Sequence, residues 1–389
     1  MSSGNVAAGF EPVQEKFDEY LARDDQFSAQ LVAQWQGQTV VDLAGGPHLD
    51  GQSLTGVFSV SKGVAAVVLS MLVNDGRLSL SEPVSRYWPE FGVNGKEEVL
   101  VRELLSHQAG LLNLDDPLTG DELVDSQRAA SRLASARPMW NPGSAFGYHG
   151  LTIGVFIEEI VRRITGRTVQ DIFERNVRAP RSIDFYLGLP ETAESRFCAV
   201  LPMSPTDAQR ADLEATRPSR DGLMAAAFDD LPGGGAAVAS VLPYTRAARA
   251  VGAASVGGVG SARGIAGVYS AVLGHNGERL LSDETIGRVA MEQVSGTDRV
   301  LNSQMAFATV FMKPHPRIPF GSYRAFGHDG AGGALGFADP MYDLAFGYIP
   351  MPMQYPGGAD PRAVELSAII RECIALHATT LHTSARELG

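Results

Sequence analysis

The chain of 389 residues is poor in cysteine and lysine. It has two cysteines, Cys198 and Cys373, and only Lys16, Lys62, Lys96 and Lys313 among the lysines. Two cysteines cannot build a disulfide framework and read as buried thiols of a reducing compartment. Basic residues are outnumbered, 32 Lys and Arg against 44 Asp and Glu, for a formal net charge of -12. With no basic cluster, that balance argues against a nucleic-acid partner. No stretch reads as a membrane span, and residues 1–10 have neither the basic region nor the apolar core of a signal peptide. The expectation is a cytoplasmic protein. Catalytic signatures are missing too. There is no Gly-x-Ser-x-Gly elbow, no His-Glu-x-x-His and no Cys-x-x-Cys, so neither an ordinary α/β-hydrolase nor a zinc site is indicated. Gly330-x-Gly332 is not a dinucleotide loop, because Leu335 stands where the third glycine belongs and a strand pattern follows. No metal or cofactor is implied.

What is present centres on Ser59-Val60-Ser61-Lys62 and the apolar run after it. From Lys62 to Val73 only Lys62, Gly63 and Ser70 are not apolar. A helix apolar all round is a buried helix, and this one is too short to cross a bilayer. An ammonium group there is costly unless something uses it. Ser59 lies one turn before Lys62 and shares its face, whereas the adjacent Ser61 does not. Ser59 also sits at the helix N-terminus, where free N–H groups favour negative charge. The pair is a candidate nucleophile beside a candidate base. The bland alternative is an N-cap serine before a snorkelling lysine.

Periodicity places helices at 12–24, 101–106, 121–135 and 152–165, and from Ser261 through Leu273. A hairpin is expected at 28–43 around Gln36-Gly37-Gln38. Short strands are expected at 306–312, 324–327, 334–338 and 344–349, then a last helix from Pro361 and a loose polar tail after about 380. The irregular segment 202–240 reads as a flap beside the active site. Strands at both ends and helices between them imply an α+β fold: an antiparallel sheet flanked by N- and C-terminal helices. Residues 1–76 and 300–389 would form this domain, with 77–299 an inserted, mostly helical domain.

Two further motifs are glycine-rich. Asn141-Pro142-Gly143 leads to Tyr148-His149-Gly150, and Gly327-His328-Asp329-Gly330 opens a run of glycines that allows close backbone approach. Taken singly, Tyr148 reads as a packing residue and His328 as a hairpin residue with solvent access. Taken in order, the three motifs resemble the class C β-lactamase-like serine hydrolases, most of all their esterase branch, the family VIII carboxylesterases. Leu104 to Leu111, Asp184 to Pro190 and Gly333 to Pro340 fit the same branch, so the resemblance spans roughly residues 10–380.

That resemblance implies Ser59 as nucleophile, Lys62 as its activating neighbour and Tyr148 as proton acceptor and donor. It implies an oxyanion hole of the Ser59 and Ala331 backbone N–H groups. It places His328, Asp329, Gly330 and His149 in substrate-binding or supporting positions. A phenol of ordinary pKa near ~10 would serve near neutrality only beside a cation, and Lys62 is the expected one. The β-lactamases carry Tyr-x-Asn and Lys-Thr-Gly, where this chain has Tyr148-His149-Gly150 and His328-Asp329-Gly330. Both departures weaken recognition of an anionic amide. The expected function is therefore a serine carboxylesterase that hydrolyses small carboxylic esters through an acyl-enzyme. A β-lactamase, D-amino-acid peptidase or acyltransferase of the same fold is the alternative. A non-catalytic binding member is a third reading, against which the intact Ser59, Lys62 and Tyr148 argue.

Overall fold

The computed structural model describes residues 1–113, 125–228 and 242–387. Its frame is a six-stranded antiparallel sheet built from both ends of the chain. The strands are β1 (Ser3–Val6), β2 (Ser28–Trp35), β3 (Gln38–Gly45), β4 (Phe326–Asp329), β5 (Leu335–Asp339) and β6 (Leu344–Met351), in the order β1-β3-β2-β6-β5-β4. The expected hairpin is β2–β3. Gln36 and Gly37, at φ 51 and 74, form a two-residue turn whose twist matches its strands. β6 pairs with β2 along its whole length, from Leu344 opposite Trp35 to Met351 opposite Ser28.

Period-two alternation gives the sheet two apolar faces. Phe337, Phe346 and Tyr348 pack with Phe17, Leu366 and Ile370, from α1 (Glu11–Arg23) and the C-terminal helix Pro361–Glu387. Ala338, Ala345 and Ile349 join the other core, with Ile265 and Tyr269. These last two belong to the helix Ala262–Val272, which packs on β2, β5 and β6. Sequence alone puts that helix in the helical insert, yet it covers the sheet. Its seat is the cross-strand pair Gly336–Gly347: a Cβ on Gly336 would lie 2.3 Å from Ile265, and one on Gly347 2.3 Å from the Ala262 carbonyl. Ser261 caps the helix as expected, its Oγ accepting the Gly264 N–H.

The buried helix is α2 (Val60–Asn74), packed against the helix Thr152–Thr165 and against β4. Thr152–Thr165 is helical as expected and ends at Gly166, whose φ of 72 suits a helix stop. Other expectations shift. The strand expected at 306–312 is only Gln304–Phe307, because the chain turns at Val310 with φ 66. The tail expected to be loose after 380 continues the last helix to Glu387. Within 202–240 lie the helices Asp207–Ala215 and Leu223–Ala227, while 229–241 fall outside the described residues. The helix expected from 121 starts, within the described residues, at Ser126. No described helix is long and apolar enough to cross a membrane.

Candidate active site

Phe58, at φ 49, bends the chain sharply so that Ser59 heads α2. Ser61 fixes the bend: its Oγ donates to the Phe58 carbonyl and accepts the Gly258 N–H. Ser61 is thus committed to backbone, whereas Ser59 makes no capping bond and its Oγ lies 2.9 Å from Lys62 Nζ. Lys62 is fully buried, and its second neighbour is the Ser255 carbonyl, also at 2.9 Å. Burial, partly offset by the charge of Asp329, lowers the Lys62 pKa to about 7.

Tyr148 reaches the same point from the other side. Its ring centroid is 5.0 Å from Lys62 Nζ, and Ser59 lies near enough to its hydroxyl to pull the phenol's pKa down. Burial holds its pKa well above that of an ordinary phenol, outweighing the Ser59 contact, and Asp329 and Asp298 push the same way. Burial thus disfavours both charges of the expected pair, the Tyr148 phenolate and the Lys62 ammonium.

The Tyr148 loop is held on both flanks. Asp298 Oδ1 accepts the N–H groups of Tyr148, Val300 and Leu301 at 3.2, 2.8 and 2.8 Å. On the other flank the His149 N–H donates to His107 Nδ1, and the Gly147 N–H donates to the His107 carbonyl. The His149 ring is used up: Nδ1 donates to the Gly147 carbonyl and Nε2 accepts the Leu111 N–H. His149 does not line the cavity; its ring is spent on holding the loop.

Glycines close the site from the sheet side. A Cβ on Gly330 would sit 2.3 Å from the Val57 carbonyl, so only glycine lets the end of β4 approach the Ser59 segment this closely. Among the described residues no hydrogen bond uses the backbone N–H of Ser59 or of Ala331. His328 is buried, not solvent-exposed as its hairpin position suggested. Its Nδ1 donates to the Asp329 carbonyl, leaving Nε2 without a partner among the described residues. Asp329 is half-buried, and desolvation raises its pKa, but the His328 contact, the Ala359 N–H and Arg317 bring it below the usual carboxylate range.

Ser59, Tyr148, His328, Asp329 and Ala331 border one cavity of about 210 Å³. Its other walls are mostly apolar: Met224, Phe228, Leu301, Met305, Phe307, Met312 and Ile318, with Arg317 present. A larger groove of about 480 Å³, walled by Met203, Gln354 and Arg362, includes none of Ser59, Lys62 or Tyr148. No cluster of metal-ligating side chains occurs among the described residues.

The model of the family described as Beta-lactamase matches residues 13–361. The chain belongs to the beta-lactamase family. Its relatives include the Esterase/beta-lactamase LipL of Mycobacterium tuberculosis, 31% identical over 335 residues, or 82% of this chain and 76% of that one. Among solved structures, EstA from Arthrobacter nitroguajacolicus Rue61a superposes with a TM-score of 0.89 at 47% identity, covering 97% of this chain and 100% of EstA. A family VIII carboxylesterase superposes with a TM-score of 0.82 at 29% identity, covering 96% and 100%.

Sequence reasoning missed Ser255, which contributes a carbonyl and no side chain, and Asp298, an acid lost in a polar turn. It also missed the apolar wall, whose members are scattered from 224 to 318 and meet only in the fold.

Proposed function

We propose that the protein is a serine carboxylesterase acting on small carboxylic esters. The observation that carries the reading is Ser59 Oγ against Lys62 Nζ at 2.9 Å, with the Tyr148 ring centroid 5.0 Å from the same amine, at the edge of a mostly apolar cavity. The neutral Lys62 amine takes the Ser59 proton as Oγ attacks the ester carbonyl. The tetrahedral oxygen rests on the N–H groups of Ser59 and Ala331, donors of which the loss of either one costs about 10²–10³ in rate. Tyr148 gives its proton to the departing alkoxide and recovers one from the Lys62 ammonium. Water then enters by the reverse relay and frees the acid. His328 Nε2 and Asp329 border the substrate in supporting roles.

The family also contains β-lactamases, but position 150 supports the ester reading. A Cβ on Gly150 would lie 2.6 Å from the Ala227 carbonyl and 2.8 Å from the Phe228 ring. The space that a Tyr-x-Asn amide would need is filled by the helix Leu223–Ala227 and the residue after it. Gly150→Asn is expected to lower stability by about 1–3 kcal/mol through overpacking and to give no cephalosporin turnover; thermal unfolding and a chromogenic assay check both. The direct test of function compares p-nitrophenyl butyrate with a chromogenic cephalosporin. Efficient ester turnover is expected. Efficient cephalosporin hydrolysis with negligible ester turnover would reverse the assignment.

A further inference from the structure

We propose that Glu158 is a positioning residue for Lys62, acting through the Ser255 carbonyl; the catalytic part of this rests on Lys62 being the base for Ser59. Among the described residues Lys62 Nζ has two hydrogen-bond partners, Ser59 Oγ and the Ser255 carbonyl. The first must be free to react, so the second fixes the amine. Ser255 lies in a tight turn in which Val256 and Gly257 both donate to the Ala253 carbonyl. That turn is gripped from the helix Thr152–Thr165. Glu158 Oε1 accepts the Ala254 N–H at 2.9 Å and the Gln170 side-chain amide at 3.2 Å, and the same amide donates to the Gly252 carbonyl at 3.1 Å.

One turn earlier on the same face, a Cβ on Gly154 would lie 2.6 Å from the Ser255 nitrogen. The space left between Glu158, Gly154 and Ser255 is about 10 Å³, no more than one water needs. The helix therefore holds the turn at two points, one polar and one by contact.

Glu158 is not there to balance charge. Its neighbour Glu159 pairs with Arg162 and Arg163, but Glu158 has no ion pair among the described residues. Burial raises its pKa, against hydrogen bonds from Ala254, Ser126 and Gln170. A carboxyl kept in such a place costs stability unless its hydrogen bonds are used. The charge that faces Lys62 is that of Asp329, while Tyr148 and His107 are also near it. The same helix begins shortly after Tyr148, so one rigid element sets both the phenol and, through Glu158, the amine.

A carbonyl acceptor favours the ammonium form and opposes the burial that disfavours it. Releasing the turn should therefore let the Lys62 pKa fall further and let Nζ drift from Ser59. With four lysines in the chain, [ε-¹³C]lysine labelling gives four signals, and the one lost in Lys62→Met is Lys62. In Glu158→Met the Lys62 signal should titrate about one pKa unit lower, and ester kcat should fall about tenfold with KM little changed. Glu158→Gln, whose amide oxygen can still accept the Ala254 N–H, should restore both. A folded Glu158→Met protein whose Lys62 titrates as in the wild type overturns the proposal. If that variant does not fold, Gln170→Leu must move the signal in the same direction, and no movement there overturns it equally. Unchanged ester turnover in Lys62→Met would instead sink the catalytic reading, while the lysine titration would still report on the Glu158 grip.

Discussion

Ser59→Ala is expected to lower ester turnover by about 10⁴–10⁶-fold and to abolish labelling by a fluorophosphonate, with little change in thermal stability. The loss is large because no other hydroxyl can stand in. Ser61, the nearest alternative along the chain, holds the bend at Phe58 with its Oγ and receives the Gly258 N–H. The fold should tolerate the change because Ser59 makes no capping hydrogen bond to α2. Turnover within tenfold of the wild type, or an adduct mapped by mass to another residue, would end the assignment of the nucleophile.

Lys62→Met separates activity from stability, and the two should move in opposite directions. Removing the base should cost about 10²–10⁴ in kcat/KM. In the wild type, kcat/KM should rise with pH to a plateau reached above about pH 7, because the amine must be unprotonated to accept the serine proton and its pKa is lowered to about 7. The residual activity of Lys62→Met should lack that limb. Stability should rise. The folded-state pKa lies below the unfolded value near 10.5, so between about 7 and 10.5 the unfolded chain holds a proton that the folded one has released. Stability therefore increases with pH across that window, and at and below pH 7 the depressed pKa costs up to roughly 4–5 kcal/mol. Methionine has similar volume and no charge to desolvate. Its melting temperature at pH 7 should exceed that of the wild type by several degrees, and the pH slope between 7 and 10 should flatten. A pH-independent wild-type profile from 5 to 9, or a melting temperature that falls on substitution, would show that Lys62 is charged and paired.

The parts of this site visible in the sequence were those set by local spacing. A serine one turn before a lysine, at the head of an apolar run, requires no tertiary information to read as a shared helix face. The helix expected over 152–165 ends at Thr165-Gly166, where backbone chemistry says it should. Other features depended on partners distant in sequence. β1 was not legible because Ser3, Gly4 and Asn5 carry no apolar pattern: the strand is held by pairing with β3, and Gly4, at φ 109, lies so close to Asp42 that a Cβ would be 2.0 Å from its carbonyl. His328 looked exposed because hairpin residues usually are, and it is buried because α2 packs on β4. The protonation states of Lys62 and Tyr148 were equally hidden. The sequence supplies the amine and the phenol, but burial, the largest influence on both, exists only once the core has closed around them.

The pairing of β2 with β6 has a consequence for how the molecule is made. The N-terminal hairpin leaves the ribosome with one edge of β2 unsatisfied, and its mate follows only after nearly the whole polypeptide has been synthesised. Loop closure over that span is slow, and an open strand edge is adhesive while it lasts. The nascent protein therefore passes through a long interval in which its first strands can recruit a wrong neighbour. Deletions that remove residues 344–351 would make that interval permanent, yielding aggregates instead of a smaller folded hydrolase.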